Sequence, residues 1–407
     1  MKAPLLEQAT GPASGKRAFE IVERKGLGHP DSICDAIMEE AARALARLYL
    51  ERSGQVQHFN LDKALWAAGR SSPRFGGGTV DEPSRLVFGD RALAAVDGHR
   101  LPVAELVEAT ARSWIGSNLR FFDPDRHLVF QSELRSGSAE LLRPYLSGAP
   151  AANDTSVGVG FAPWTETERL VVRAERYINL PSFKQQFPET GEDVKVLGVR
   201  RDGVLELTVA LAFVDGAIDS EHAYFEKKAQ VQENVVTHLQ GHLERIGELK
   251  LRCNTLDAPN NGERGVYLTV TGTSAEGADS GEVGRGNRLL GFNSATRPWS
   301  AEAVAGKNPL AHVGKIYNHL AQRAAERIAA LEEIEEASVL LVSEIGAPLD
   351  EPSFAAVRLV LEAGVGLDDV KDTVEATLKQ AVSEVVGFVG GWLRGEDGAS
   401  EHEATRQ

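Results

Sequence analysis

Residues 205–213 read Leu205-Glu206-Leu207-Thr208-Val209-Ala210-Leu211-Ala212-Phe213. Leu205, Leu207, Val209, Leu211 and Phe213 alternate with smaller or polar neighbours, the period of a strand with one buried face. Just downstream, 221–246 carries apolar residues at helical spacing, and 265–271 returns to a β-rich run, Gly265-Val266-Tyr267-Leu268-Thr269-Val270-Thr271. Upstream, Ile33, Ile37, Ala41, Ala44, Leu45 and Leu48 predict an amphipathic helix over 31–51. Pro30 suits its first turn, and Asp31 lies at its positive end. Further helical patterns cover 310–332 and 368–388, with a strand over 337–342. Strands and helices alternate irregularly, with hairpin-like spacings. That predicts an α+β fold with antiparallel sheet rather than a doubly wound parallel one.

Composition narrows the function. The chain has 407 residues, enough for two or three domains or one elaborate unit. Hydrophobic residues make up 42% and charged residues 25%, which excludes global disorder. Lys+Arg number 44 against 59 Asp+Glu, a net charge of −15, and the pI is near 5.2. No broad positive field exists for nucleic acid or an anionic membrane, so any phosphate must be held by a few local cations and backbone N–H groups. Cys34 and Cys253 are the two cysteines, without a CxxC pair, so neither a disulfide framework nor a zinc site is expected. Cys34 reads as a small buried hydrophobe. Residues 1–16 hold no signal-peptide-like apolar run, and no membrane span is found. These features predict a cytoplasmic protein with a loose segment over 1–15, a single catalytic unit over 16–394 and a disordered acidic tail over 395–407.

The familiar nucleotide signatures are missing. There is no GxxxxGK[ST], and Gly158-Val159-Gly160-Phe161-Ala162-Pro163 puts proline where GxGxxG needs its third glycine. HExxH and GxSxG are likewise missing. What remains is a set of short polar, Gly-rich segments. Glu23-Arg24-Lys25-Gly26-Leu27-Gly28-His29-Pro30-Asp31-Ser32 precedes a helix, whose N-terminus suits phosphate. His29 is placed to donate to a phosphate oxygen and Asp31 to hold a hard cation, although the same residues also read as a capped helix start. Asn153-Asp154-Thr155-Ser156 puts a carboxylate before glycines, suited to an amino or ribose group or to an Asx-turn. Lys195, within Gly191-Glu192-Asp193-Val194-Lys195-Val196, reads as a directed cation or as an edge-strand lysine. In the loop 277–288, Asp279 precedes Arg285 by six residues among four glycines, a composition that lets a metal ligand, a bidentate Arg and backbone N–H groups converge on a polyphosphate. Lys307, in Gly306-Lys307-Asn308-Pro309, is a further candidate for phosphate charge. Together the segments describe a site for a triphosphate and divalent cations built without a P-loop.

The order and spacing of these segments resemble the S-adenosylmethionine synthetase (methionine adenosyltransferase) family, and its archaeal-type branch in particular. The carrying stretches are ERKGLGHPD (23–31), HFNLDK (58–63), FGGG (75–78), NDTSVGVG (153–160), GEDVKV (191–196), TVTGTSAE (269–276), VGRGNR (283–288), GKNP (306–309), HVGKIYN (312–318) and IGAPLDEP (345–352). The resemblance implies sulfur attack by methionine on C5′ of ATP, followed by hydrolysis of the tripolyphosphate to pyrophosphate and phosphate. The main task is then electrostatic stabilisation of a departing polyanion. Sulfur needs no general base, consistent with the missing Ser-His-Asp or Cys-His arrangement. It further implies His29, Lys195, Arg285 and Lys307 as catalytic cations, with Gly28, Arg288 and Ile345 as further ATP contacts. Asp154, Asn60 and Asp62 fall to the methionine side. Asp31 and Asp279 become ligands of Mg²⁺, two ions per site, and Glu23 a carboxylate near a potassium ion. Three interleaved α+β subdomains about a pseudo-threefold axis are implied, in a homodimer with active sites at the interface. A metal-dependent polyphosphatase and a non-catalytic relative are the alternatives. The chain departs from the branch pattern at Ser280, Gly277, Glu282 and Cys34, and the role of His312 is open.

Overall fold

The computed structural model describes residues 3–137 and 151–395. The fold is α+β, and it is interleaved: each of three larger sheets draws strands from distant parts of the chain. The first orders Leu5–Gln8, Phe354–Leu361, Ile334–Val342 and Val157–Ala162. The second orders Glu248–Cys253, Val204–Val214, Thr190–Arg201, Phe19–Lys25 and Asn293–Ser294, with Leu268–Thr269 attached to Val204–Val214. The third orders Gly281–Glu282, Phe59–Ala67, Ser84–Ala92 and Leu128–Arg135. Most pairings are antiparallel; Leu5–Gln8, Glu248–Cys253, Leu268–Thr269 and Leu128–Arg135 join in parallel.

Two helices accompany each sheet. Val313–Ala329 and Leu367–Ser383 go with the first, Glu166–Ile178 and Glu221–Gln240 with the second, Pro30–Ser53 and Val103–Asn118 with the third. Alternation decides which sheet face they cover. In Thr190–Arg201, Val194 and Val196 are buried against the helices, whereas Leu197 and Val199 are exposed on the other side. The first and third sheets share one apolar core, and the second has its own.

The helix Pro30–Ser53 follows its expected bounds. Ile33, Ile37, Ala41 and Leu45 are fully buried, each large one contributing about 1.5–3 kcal/mol by burial. Gly54, at φ 73°, ends it. Five expectations change. The helix expected over 221–246 stops at Gln240, with Gly241 as its C-cap. Residues 1–15 are not uniformly loose: Leu5–Gln8 is a strand, and the Ser14 amide donates to Glu336 at 2.7 Å. The run 265–271 pairs only over Leu268–Thr269, because the Glu276 carboxylate accepts the Val270 and Thr271 amides that a ladder would use. The helix expected over 310–332 starts at Val313, behind an N-cap at His312. The helix expected over 368–388 stops at Ser383, and a separate helix, Phe388–Arg394, follows. The tail from 396 onward lies outside the described residues.

Candidate active site

The first group of polar side chains forms where the central sheet meets the start of Pro30–Ser53. Antiparallel register sets Lys195 opposite Lys25 and Leu197 opposite Glu23, so Lys195, Lys25 and Glu23 share one sheet face. Lys195 Nζ lies 2.9 Å from Glu23 Oε2, and Lys25 Nζ lies 2.9 Å from Asp31 Oδ2. Gly26 and Gly28 donate their amides to the carbonyls of Val194 and Glu192. A Cβ on Gly28 would fall 2.4 Å from the Glu192 carbonyl carbon, so glycine is required by close approach. The Gly28 amide is thereby committed to the protein, and its service to the site is spatial.

His29 caps the helix with its ring: Nδ1 accepts the Asp31 amide at 3.2 Å. That leaves Nε2 as the N–H of the neutral ring. Burial pushes the His29 pKa down, with Lys25 and Lys195 adding to it and Asp193 and Asp31 opposing. Asp193 is itself buried, accepting from the Ser274 amide and hydroxyl and from the Tyr267 hydroxyl.

The loop after Asp279 is fastened to the same helix. Glu282 donates its amide to Asp31 Oδ1 at 2.8 Å and Gly284 to Asp35 Oδ1 at 2.7 Å. Asn287 both accepts from the Lys25 amide and donates to the Lys25 carbonyl. Burial raises the Asp35 pKa to about 7. Arg285 is carried on this loop into a cavity of about 730 Å³.

That cavity holds the second group. Lys307 Nζ lies 2.8 Å from Asp62 Oδ2 and 3.2 Å from Glu302 Oε2. Asn60 donates to Asp62 and to Asp90. Burial opposes ionisation of Asp62, but Lys307 and Lys63 overcome it and hold its carboxyl far below the usual range. Asp154 is displaced upward by burial and by nearby Glu302 and Asp62. Asp154, Glu302 and His312 bring ligand atoms within 4.8 Å of one another. His312 nevertheless suits a donor better than a metal ligand: its Nδ1 accepts the Gly314 amide at 3.2 Å, leaving Nε2–H. Burial and Lys307 lower its pKa to about 4, so it is neutral near pH 7. Ile345 lies beside this group, its amide bonded to Thr155 Oγ1.

The sequence-derived residues thus fall into two sets. His29, Asp31, Glu23 and Lys195 belong to the sheet-and-helix junction; Asn60, Asp62, Asp154, Arg285 and Lys307 line the cavity. Asp279 is exposed on the loop that leads to Gly281. Arg288 does not line the cavity; its guanidinium lies 5.0 Å over the Trp299 ring. Lys25, Asp35, Asp193, Glu302 and His312 join the site beyond the residues assigned from sequence. Lys25 and Asp193 were readable as the same-face neighbours of Glu23 and Lys195. Glu302, within Ser300-Ala301-Glu302-Ala303, carries no sequence signal.

The family model described as S-adenosylmethionine synthetase (AdoMet synthetase) matches residues 5–396. The chain belongs to the S-adenosylmethionine synthetase family. It is 42% identical over 400 residues to the S-adenosylmethionine synthase of Pyrobaculum neutrophilum, covering 96% of this chain and 98% of that one. It is 46% identical over 339 residues to a probable S-adenosylmethionine synthase of Aquifex aeolicus, covering 82% and 84%. The fold also matches a solved structure described as an unusual S-adenosylmethionine synthetase from Campylobacter jejuni, with a TM-score of 0.60, 16% identity and coverage of 90% and 88%. S-adenosylmethionine synthetases are adenosyltransferases that use ATP and methionine, and the family needs a divalent metal. No helix among the described residues is long and apolar enough to cross a membrane.

Proposed function

We propose that this chain joins L-methionine to ATP by sulfur attack on C5′ and then hydrolyses the tripolyphosphate to pyrophosphate and phosphate. The observation that carries this reading is the division of the candidate residues into a cationic junction and a carboxylate-rich cavity. His29 Nε2–H, Lys195 and Lys25 at the junction, together with Arg285 from the cavity wall, supply donors and positive charge for a departing triphosphate. Asp154, Asp62 and Glu302 attract an ammonium group, while His312 Nε2–H and Lys307 offer donors to a carboxylate, which suits a zwitterionic amino acid. Hard carboxylate oxygens at Asp31, Asp279 and Glu282 fit Mg²⁺ better than a softer metal. Two bound Mg²⁺ ions, near Asp31 and Asp279, would neutralise triphosphate charge, and a potassium ion fits beside Glu23.

The two groups act in one site when two chains pair. Lys195, Lys25 and Glu23 share their sheet face with exposed Leu197, Val199 and Phe19. The cavity opens on the outward face of the third sheet, beside Lys63, Leu65 and Val87. A partner that covers these apolar faces brings its own residues to both. We infer a homodimer with shared sites, residues 16–394 acting as one catalytic unit of three subdomains related by a pseudo-threefold axis, and a cytoplasmic location.

The test is incubation of the purified chain with ATP, Mg²⁺ and L-methionine, with the sulfonium product read by mass and both phosphates quantified. S-adenosylmethionine, pyrophosphate and phosphate are expected in equal amounts, and excess chelator should abolish all three. Release of intact tripolyphosphate in step with product would overturn the second half of the reaction; phosphate release with no sulfonium product would overturn the first.

A further inference from the structure

The carboxylate of Glu39 collects donors from three separate parts of the chain. Lys315 Nζ lies 2.7 Å from both of its oxygens. Trp392 Nε1–H donates to Oε1 at 2.7 Å, and the Gly306 amide donates to Oε2 at 3.0 Å. Lys315 is completely buried, and this carboxylate compensates its charge. Burial would raise the Glu39 pKa, but Lys315, Arg43 and Trp392 together bring it below the ordinary value.

Each donor sits at a consequential place. Gly306 immediately precedes Lys307, and its backbone is already tightly constrained. It has φ +74°, its carbonyl accepts the Leu61 amide at 2.8 Å, and a Cβ there would fall 2.4 Å from the Leu61 carbonyl oxygen. The Glu39 bond fixes the peptide on the other side of the Gly306 Cα, so the turn that aims Lys307 at Asp62 is held from two directions. Trp392 belongs to the helix Phe388–Arg394, which is docked by more than its indole. Arg43 donates to the Trp392 carbonyl, and Arg47 Nη2 donates to the Leu393 carbonyl at 3.0 Å, so side chains cap the end of that helix. The indole ring also lies under two cations, Lys315 at 4.3 Å and Arg43 at 4.8 Å.

We propose that Glu39 is a positioning residue for Lys307, and that the docked helix Phe388–Arg394 holds it in place through the Trp392 N–H. Removing that donor leaves Lys315 as the near donor to Oε1, with the Arg43 guanidinium farther off at 3.8 Å. The carboxylate then turns toward Lys315, the Gly306 amide loses its partner, and the peptide before Lys307 shifts. The role inferred for Glu39 rests on the reading of Lys307 as a substrate-binding cation.

The experiment uses the full-length chain. Trp392→Phe keeps a ring for Lys315 and Arg43 but deletes the N–H. S-adenosylmethionine formation is measured well below the melting temperature of each variant, giving kcat and separate KM values for ATP and methionine. A loss of about tenfold in kcat/KM is expected, since small misplacements of site groups have effects of this order. In the Lys307→Arg background the same change should have much less effect, because both act on one group. Arg47→Met, which loosens the helix end from its exposed side, should move activity in the same direction by a smaller factor. Unchanged kcat and KM in Trp392→Phe, with a lowered melting temperature, would overturn the proposal and leave Glu39 a purely structural ion pair. Fully independent effects of Trp392→Phe and Lys307→Arg would overturn it too. Lys307→Met with wild-type turnover would instead overturn the reading of Lys307 itself, whatever Trp392→Phe does.

Discussion

At the scale of single residues, His29 and His312 use one device twice. Each is an N-cap whose Nδ1 accepts the amide two residues on, from Asp31 and from Gly314. Ser, Thr, Asp or Asn is the usual choice there, and a neutral imidazole caps while keeping a second, opposite donor for the site. A protonated ring would lose the cap, because Nδ1 could no longer accept. For His312 the folded pKa is near 4 against an ordinary 6.5. A depressed pKa of this kind gives a stability contribution that is present above pH 6.5 and is lost as pH falls toward 4. His312→Asn retains a capping oxygen and does not titrate. Its melting temperature should therefore gain on that of the unmodified chain as pH drops from 7.5 to 4.5, and a constant difference would sink this account. The shared device was not legible in the sequence, although both histidines were visible. Capping depends on where a helix begins, and the helix expected from residue 310 begins after His312.

At the scale of an element, the helix Pro30–Ser53 does more than bury Ile33, Ile37 and Leu45. Asp31, Asp35, Glu39, Arg43 and Arg47 recur every four residues and form one stripe along it. Asp31 and Asp35 hold the loop that carries Arg285, Glu39 holds the turn before Lys307, and Arg43 and Arg47 hold the last described helix. One rigid rod thus sets the spacing of two loops that approach from far along the chain. Hydrophobic periodicity made the helix readable, but the polar stripe has no local meaning until its distant partners are in place. Gly281 tests the docking directly, since a Cβ there would fall 2.2 Å from the Pro30 carbonyl oxygen. Backbone must move to relieve such a contact, so Gly281→Ala should displace the Arg285 loop. Steady-state kinetics should show kcat/KM for ATP falling about tenfold or more, the scale of a misplaced catalytic group. Wild-type kinetics from this variant would mean that the loop finds its place without the helix.

At the scale of the whole molecule, the α+β class followed from the alternation of patterns, whereas the interleaving did not. Leu5–Gln8 pairs with Phe354–Leu361, and Gly281–Glu282 with Phe59–Ala67, across separations that no window of sequence reports. The division of site residues into two groups has the same origin: His29 responds electrostatically to Asp193, Asp31, Lys25 and Lys195, and His312 to Lys307, Asp62, Glu302 and Lys63, two sets with no member in common. If the junction of one chain works with the cavity of its partner, damage to the two groups is separable by mixing. Asp31→Asn disables every junction, and Lys307→Met disables every cavity, so each pure variant should be nearly inactive. In a mixed dimer one site collects both substitutions and the other collects neither. Random pairing then restores about a quarter of wild-type activity, because half the dimers are mixed and half of their sites are intact. Differently tagged chains, refolded together and resolved by native mass spectrometry, establish the mixed fraction against which activity is plotted. Activity rising in proportion to that fraction is the expected result. Mixed dimers with no more activity than their parents would place both groups of each site within one chain, and the sheet faces bearing Leu65 and Leu197 would then need another explanation.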